Sequence, residues 1–469
     1  MRLRSLLLPL LLAAPAGAQR SPQPLTRARA AAVVDSVVAA AAGGWKNAAG
    51  MSVAVTRGAE TLVLKGYGKA DLELDVPTPP RAVYEIASLT KQFTAAAILQ
   101  LAERGKVSLD APVTRYLPSY PTQGRTVTVR RLLDHTSGIR GYTEIPEFDA
   151  IAPRALPRDT LVALFASKPF DFEPGAAQAY NNSAYFLLGL IVEQVTGRSY
   201  AEYVQEHLFA RAGMADSRYC DQGAVVPRRA RGYDVVRAGL RRADYIDHTW
   251  PFAAGSLCST AGDLAAWTRA LHGGRILGAA AYRELLAPGR LNDGTPLRYA
   301  KGLVVNDSAW GHAWVQHGGD IPGFASFLAW VPADSLAIAV LINTEGPVRP
   351  DAVAAGIVRG LLGDRSAAPP AFRGRAADYV GEYAGVGRGR PRRFAVAAGD
   401  STPLVLRVNG GPAEPLAYLG GDTFGRGPNR FVFVRERGRV TALRVDNRVA
   451  YAVAPRVAPA PSAAGGGAR

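Results

Sequence analysis

Ser88-Leu89-Thr90-Lys91-Gln92-Phe93-Thr94-Ala95-Ala96-Ala97-Ile98-Leu99-Gln100-Leu101 is the stretch on which the reading of this 469-residue chain turns. Apolar residues fall on most of its faces, and Gly105 stops the pattern, so Ser88 to Arg104 reads as a buried helix. Ser88 and Lys91 lie one helical turn apart and share a face. A serine hydroxyl is a weak nucleophile until a neighbour accepts its proton. A lysine one turn away can do so where desolvation disfavours its charged form. The helix start adds backbone N–H groups and a positive dipole end, which suit a developing oxyanion. A lone Ser-x-x-Lys is a weak signal, and a capping serine beside a surface lysine would explain it equally well. Here the lysine stands at the head of an apolar helix, and no other lysine has a serine three residues before it.

Working outward, Met51 to Val55 and Thr61 to Leu64 are short β-type runs split by Arg57-Gly58-Ala59-Glu60, the pattern of a hairpin. Strand character returns at Phe324 to Trp330 and Leu336 to Ile342, with Pro332-Ala333-Asp334 as the turn. Residues 27–42 and 351–362 read as helices. Residues 110–250 mix short helices and loops, the clearest helix being Ala184 to Val195, ended by Gly197. β structure at two ends of a helical middle implies one sheet assembled from both ends, a helical insertion, and a cleft between them.

Two further motifs fall beside that cleft. Tyr180-Asn181-Asn182 precedes the helix at Ala184. A tyrosine near a cationic lysine loses its proton more easily and can act as a base. Asn182 offers a donor and an acceptor to a substrate amide. A packed tyrosine and a helix-capping asparagine are the bland alternative. His317-Gly318-Gly319-Asp320 leads into Ile321-Pro322-Gly323-Phe324. Two glycines beside a strand let a ligand approach the backbone, and His317 could hold a proton donor near a leaving group or carboxylate. A hairpin that merely needs glycines would read the same way.

Taken together and in order, the three motifs resemble the serine β-lactamase and D-alanyl-D-alanine carboxypeptidase superfamily, in particular the branch containing class C β-lactamases. Leu132 to Ile139 (Leu-Leu-Asp-His-Thr-Ser-Gly-Ile), Gly213 to Ser217 and Ala253 to Leu264 agree with it, and the likeness covers roughly residues 30–362. The resemblance implies an α/β (α+β) fold, an antiparallel sheet flanked by helices with a helical subdomain. It implies Ser88 as nucleophile, Lys91 and Tyr180 as the proton-transfer pair, and Asn182 on the substrate amide. His317, Gly318 and Gly319 stand where β-lactamases usually carry Lys-Thr-Gly. The N–H groups of Ser88 and Asp320 would form the oxyanion hole. Histidine carries only a partial charge near neutral pH, and Gly318 offers no side chain to a carboxylate. The expectation is therefore a peptidase, amidase or esterase acting on D-amino-acid peptides or small esters, with poor β-lactam turnover. The rivals are a β-lactamase, or a penicillin-binding sensor with little turnover.

The remaining features bound the setting. Met1, Arg2 and Arg4, an apolar run from Leu6 to Ala14, and Ala16-Gly17-Ala18 form the layout of a signal peptide over 1–18, so export to the periplasm or beyond is expected. The hydrolase domain would span 19–365. Beyond Ala367-Ala368-Pro369-Pro370, residues 372–453 read as a small antiparallel β domain, similar to the lipocalin-like modules attached to some of these hydrolases. That domain is either a passive module or a wall that narrows the cleft, and few contacts should cross the linker. Residues 454–469 are Ala/Pro/Gly-rich and read as disordered. The net charge of +16 comes from scattered arginines without a basic block, so no nucleic-acid partner is expected; small molecules, peptides and cell-wall peptides are. No internal apolar run is long enough for a membrane span. Asp134, His135 and Ser137 read as a structural turn; no metal or cofactor is expected. Whether Cys220 and Cys258 pair is left open by the sequence.

Overall fold

The computed structural model describes residues 25–43, 45–387 and 390–457. The expected export segment and residues 458–469 lie outside them. Helix α1 (Arg27–Ala42) starts where Thr26 Oγ1 accepts the Arg29 N–H and ends at Gly43, whose φ is 53°. The hairpin follows as β1 (Gly50–Arg57) and β2 (Glu60–Asp71), with a short β3 (Val76–Pro77) on its outer side. Helix α2 (Thr90–Glu103) runs through the middle of the domain, with every residue from Thr90 to Leu101 buried. The chain reaches β4 (Gln178–Ala179) and α3 (Asn182–Thr196), then α4 (Ala261–His272). It returns to the sheet through β5 (Val304–Ala309), β6 (His312–Ile321), β7 (Phe324–Val331) and β8 (Leu336–Ile342), and closes with α5 (Pro350–Leu362).

The two ends of β structure meet as expected: the order is β5-β6-β7-β8-β1-β2-β3, with β8 antiparallel to β1 from Met51↔Ile342 to Arg57↔Leu336. All seven residues of β8 are buried, because both faces of the sheet are covered. Leu336, Ile338, Val340 and Ile342 pack with α1 and α5, while Ala339 and Leu341 join the core on the helical side. The period-two alternation of a strand is thus hidden in a continuous apolar run.

Cys220 and Cys258 are joined as a disulfide, their Cα atoms 5.2 Å apart. Cys258 lies in the strand Leu257–Ser259, which pairs with Tyr84–Glu85 just before Ser88. The bond therefore anchors a segment directly under the candidate nucleophile.

Among the described residues the C-terminal part holds eight strands: β9 (Gly381–Gly387), β10 (Arg390–Ala398), β11 (Leu404–Val408), β12 (Glu414–Gly420), β13 (Thr423–Arg426), β14 (Asn429–Glu436), β15 (Arg439–Asp446) and β16 (Ala450–Pro455). The last one runs two residues past the expected boundary at 453. The sheet curls until its ends meet, with Tyr383 bridging Arg456 and the Val457 N–H donating to Glu382 O at 2.8 Å. Tyr383, Leu404, Phe424 and Leu443 fill its interior, so the barrel is packed rather than hollow.

The expectation of few contacts across the linker is not met. β16 pairs antiparallel with β4 through Tyr451↔Gln178 and Ala450↔Ala179, placing the C-terminal sheet one residue from Tyr180. Arg298 donates to Pro428 O at 2.7 Å, and Arg448 pairs with Asp307 at 3.0 Å. A polar linker does not limit contacts when the folded units it joins carry a free strand edge and complementary charges.

Candidate active site

Ser88 sits in a tight 3₁₀ turn, Ala87–Leu89, that leads into α2. Ala87 before it has φ 46°, a left-handed conformation unusual for a residue with a Cβ. The turn is held from the sheet: Ser326 Oγ on β7 donates to Ile86 O at 2.8 Å. Gly319 on β6 comes so close that a Cβ there would lie 2.5 Å from Ile86 O and 2.9 Å from Ser88 N. Only a glycine lets β6 pass the nucleophile turn at this distance.

Lys91 is fully buried. Its Nζ is 2.7 Å from Asn182 Oδ1, 2.8 Å from Ala254 O and 3.1 Å from Ser88 Oγ. The first two partners are oxygens that only accept, so each takes an N–H. The third position faces the serine. With a neutral amine, that position is the lone pair, and the arrangement can receive the Ser88 proton. Nζ also lies 4.6 Å from the centre of the Tyr180 ring. Tyr180 directly follows β4, and its ring packs on His135 (4.5 Å between centres) and faces His317 (6.0 Å).

The helix-capping role belongs to Asn181, whose Oδ1 accepts the Ala184 N–H at 2.8 Å. α3 therefore starts at Asn182, earlier than the sequence pattern indicated, and leaves Asn182 to hold Lys91. His135, with φ 63°, accepts the Asn181 N–H on Nδ1 at 3.1 Å, so it backs Tyr180 and fixes this corner rather than facing the cleft as a ligand.

His317 differs from expectation. Its Nδ1 is 2.5 Å from Gly318 O, which can only accept, so the proton is on Nδ1. Its Nε2 then accepts from the Tyr299 hydroxyl at 3.0 Å. Burial, then the nearby Lys91 charge, push its pKa down to about 3, against the opposing pull of Gly318 O. Both ring nitrogens are engaged and the ring is neutral, so His317 is not poised as a proton donor to a leaving group or carboxylate. Tyr299 carried no motif in the sequence that would have marked it.

Past Gln316, which pairs with Val304, β6 has no further pairing to β5. Residues 317–321 thus offer an open strand edge to a cleft of about 610 Å³ that also holds Ser88, Tyr180 and Asn182. Asp320 stands at one end of that cleft with Glu345. Loss of solvent in the cleft raises both carboxyl pKa values, with Asp351 adding to the effect on Asp320, and Asp320 to that on Glu345. Arg349 opposes the shift at Asp320. At the other end stands a turn of the C-terminal sheet, Asn447-Arg448-Val449. Among the described residues, no group of three or more His, Cys, Asp or Glu could hold a metal ion, and no helix is long and apolar enough to cross a membrane.

The chain is 29% identical over 292 residues to a penicillin-binding protein of Bacillus subtilis, covering 59% of this chain and 64% of that one. It is 29% identical over 299 residues to a D-aminopeptidase of Gluconobacter oxydans, covering 63% and 55%. The chain thus spans less than two thirds of the length of these relatives. Among solved structures, a D-stereospecific amidohydrolase from Streptomyces superposes with a TM-score of 0.61 at 26% identity, over 71% of this chain and 98% of that one. The crystal structure of SurE matches over 92% of this chain and 99% of that one, with a TM-score of 0.65 at 24% identity, a likeness of fold. The family model described as Beta-lactamase matches residues 37–362, and the chain belongs to that family.

Proposed function

We propose that this protein is a serine hydrolase that forms an acyl-enzyme on Ser88 and cleaves amide or ester bonds of D-amino-acid amides, short D-peptides or small esters. The observation that carries the reading is the Lys91 amine, held by Asn182 and Ala254 so that its third position faces Ser88 Oγ. In the first step Oγ bonds to the substrate carbonyl carbon, and its proton passes to the Lys91–Tyr180 pair, which acts as a coupled unit. The carbonyl electrons move onto oxygen, and the N–H groups of Ser88 and Asp320 receive the oxyanion. The C–N bond then breaks as the pair returns a proton to the leaving amine. Water attacks the acyl-serine by the same route and restores Ser88.

The D-aminopeptidase and D-stereospecific amidohydrolase likenesses support a D-amino-acid substrate. So does the acidic end of the cleft at Asp320 and Glu345, which suits the ammonium of a free amino terminus. The test is a panel of D-amino-acid amides, short D-peptides, esters and cephalosporins on purified protein, beside Ser88→Ala. D-configured amides or peptides should turn over, and Ser88→Ala should turn over none. A cephalosporin hydrolysed much faster than any D-amide or ester would replace this reading with β-lactam hydrolysis.

We further propose export with cleavage before Gln19. The charged and apolar start supports it, as does a disulfide, which persists in oxidising compartments. N-terminal sequencing of protein from native envelopes decides the point; an intact Met1 on most molecules refutes it.

A further inference from the structure

The Ala254 carbonyl that orients Lys91 belongs to a helical turn, Phe252–Gly255, held in an unusual shape. Phe252 takes φ 38°, a left-handed value that a residue with a Cβ rarely adopts. The Ala253 carbonyl beside it accepts the Thr94 hydroxyl at 2.6 Å, one helical turn beyond Lys91. The turn thus sends two successive carbonyls into α2, and whatever fixes the turn fixes where the Lys91 amine points.

The groups that hold it converge on His248. The His248 carbonyl accepts the Phe252 N–H at 3.3 Å, the Ser256 hydroxyl at 2.9 Å and the Tyr219 hydroxyl at 2.8 Å. The first residue of the turn and the residue after its end are thereby drawn to one point. The only hydrogen of the Ser256 hydroxyl goes to that carbonyl. His248 Nδ1, 3.1 Å from Ser256 Oγ, is therefore the donor in the second contact between these residues. Nε2 faces Glu85 Oε2 at 3.4 Å. With Nδ1 protonated, a neutral ring would aim a lone pair at the carboxylate, so the geometry is that of an imidazolium paired with Glu85.

Glu85 stands three residues before Ser88, on the strand Tyr84–Glu85. Its side chain is 10% exposed, and that of His248 5%. Burial would push the Glu85 carboxyl up, but His248 and Arg229 hold it below the usual carboxylate range. Oε1 accepts from Arg229 at 3.1 Å and from Gln222 at 3.4 Å, which leaves Oε2 to His248. The pair joins the segment that leads into Ser88 to the loop that presents Ala254 to Lys91. Neither Glu85 nor His248 lines the cleft, so any effect on the chemistry passes through the groups they hold.

We propose that the Glu85–His248 ion pair positions Lys91: it clamps the Phe252–Gly255 turn, through Ser256, to the segment carrying Ser88, and so sets the approach of the amine to Ser88 Oγ. His248 and Glu85 are positioning residues. This rests on the acyl-serine reading for the role of Lys91.

The test is saturation kinetics of fluorophosphonate labelling at Ser88 in the full chain, read by mass spectrometry. Such kinetics separate the dissociation constant of the probe from the first-order rate of bond formation. Glu85→Gln, His248→Gln and the double replacement are compared, with thermal unfolding in parallel. Each single replacement should slow bond formation about tenfold, as for a shift of about half an ångström where 1 Å costs about 10²-fold. The dissociation constant of the probe should not change. The double replacement should be no slower than the slower single, because the second change acts on a clamp already broken. It also leaves no unpaired buried charge, so it stays folded where a single replacement might not. A folded double variant that labels at the wild-type rate, single losses that multiply in the double, or a loss confined to probe binding overturns the clamp alone. No mass added at Ser88 of the wild type refutes the acyl-serine reading, and the clamp with it.

Discussion

The two glycines of His317-Gly318-Gly319 look equivalent in sequence, and the structure predicts opposite outcomes on replacing them with alanine. A Cβ on Gly319 would stand 2.5 Å from Ile86 O, 2.6 Å from Ser326 Oγ and 2.9 Å from Ser88 N, whereas a Cβ on Gly318 meets nothing nearer than 3.6 Å. The groups crowded by Gly319→Ala are the backbone of the nucleophile turn and the hydroxyl that pins it. Moving from 2.5 Å to the 3.4 Å of ordinary contact requires a shift of about 0.9 Å. A displacement of about 1 Å in reacting groups costs about 10²-fold in rate, and overpacking of this kind costs about 1–3 kcal/mol of stability. The assay is the second-order rate of fluorophosphonate labelling at Ser88, read by mass spectrometry, with thermal unfolding in parallel. Gly319→Ala should label about 10²-fold more slowly while the protein remains folded, and Gly318→Ala should stay within about threefold of wild type. Equal damage from both replacements, or none from Gly319→Ala, would refute the claim that β6 sets the position of the serine.

Lys91→Met keeps much of the side-chain volume and removes the proton acceptor; turnover should fall about 10³-fold, within the range for general-base catalysis, and turnover near wild type would remove Lys91 from the mechanism. A stop after Gly363 removes the barrel, and with it the β16–β4 pairing beside Tyr180 and the Arg448 contact to Asp307. The truncated protein should label at Ser88 about tenfold more slowly than the full chain, and an unchanged rate would show the barrel to be passive toward the serine. His317 and His272 are held neutral by burial, each with a pKa near 3 against 6.5 when unfolded. Unfolding therefore takes up protons, and stability is lost as pH falls from 6.5 towards 3. Between pH 7 and 5 each histidine should cost about 2 kcal/mol, part of it offset by buried Asp134, whose pKa is raised to about 6 and which gains a proton on the folded side, and His317→Gln should flatten the fall of the urea midpoint over that range.

Much of the fold was legible because its signals are local or periodic. Ser88 and Lys91 are one helical turn apart, and the helix behind them is apolar on most faces, so sequence places both on one buried face. The sheet was legible because β1 and β8 are short apolar runs bounded by turns. Part of the barrel was not: β9, β12 and β13 carry glycine, proline or charge at several positions, and owe their strand geometry to neighbours on either side. The start of α3 lies two residues before the expected Ala184, since Asn181 and Asn182 are the same amide in sequence and only tertiary packing decides which one caps the helix and which meets Lys91.

His317 shows why a motif read alone can mislead about charge. Its residue type puts its titration near neutral pH, but the pKa is set by what surrounds it: Tyr299 on one nitrogen, Gly318 O on the other, and Lys91 nearby. None of those partners is predicted by the spacing of His-Gly-Gly-Asp. The expectation of poor β-lactam turnover followed from the missing lysine at that motif, and took no account of charge carried by the C-terminal domain. Arg448, on the turn between the last two strands of the barrel, also lines the cleft, with φ 77° and its guanidinium paired with Asp307. Charge in such a cleft belongs to the assembled walls, and since the His317 ring is already neutral near pH 7, replacing it by an uncharged side chain should leave the charge of the cleft unchanged.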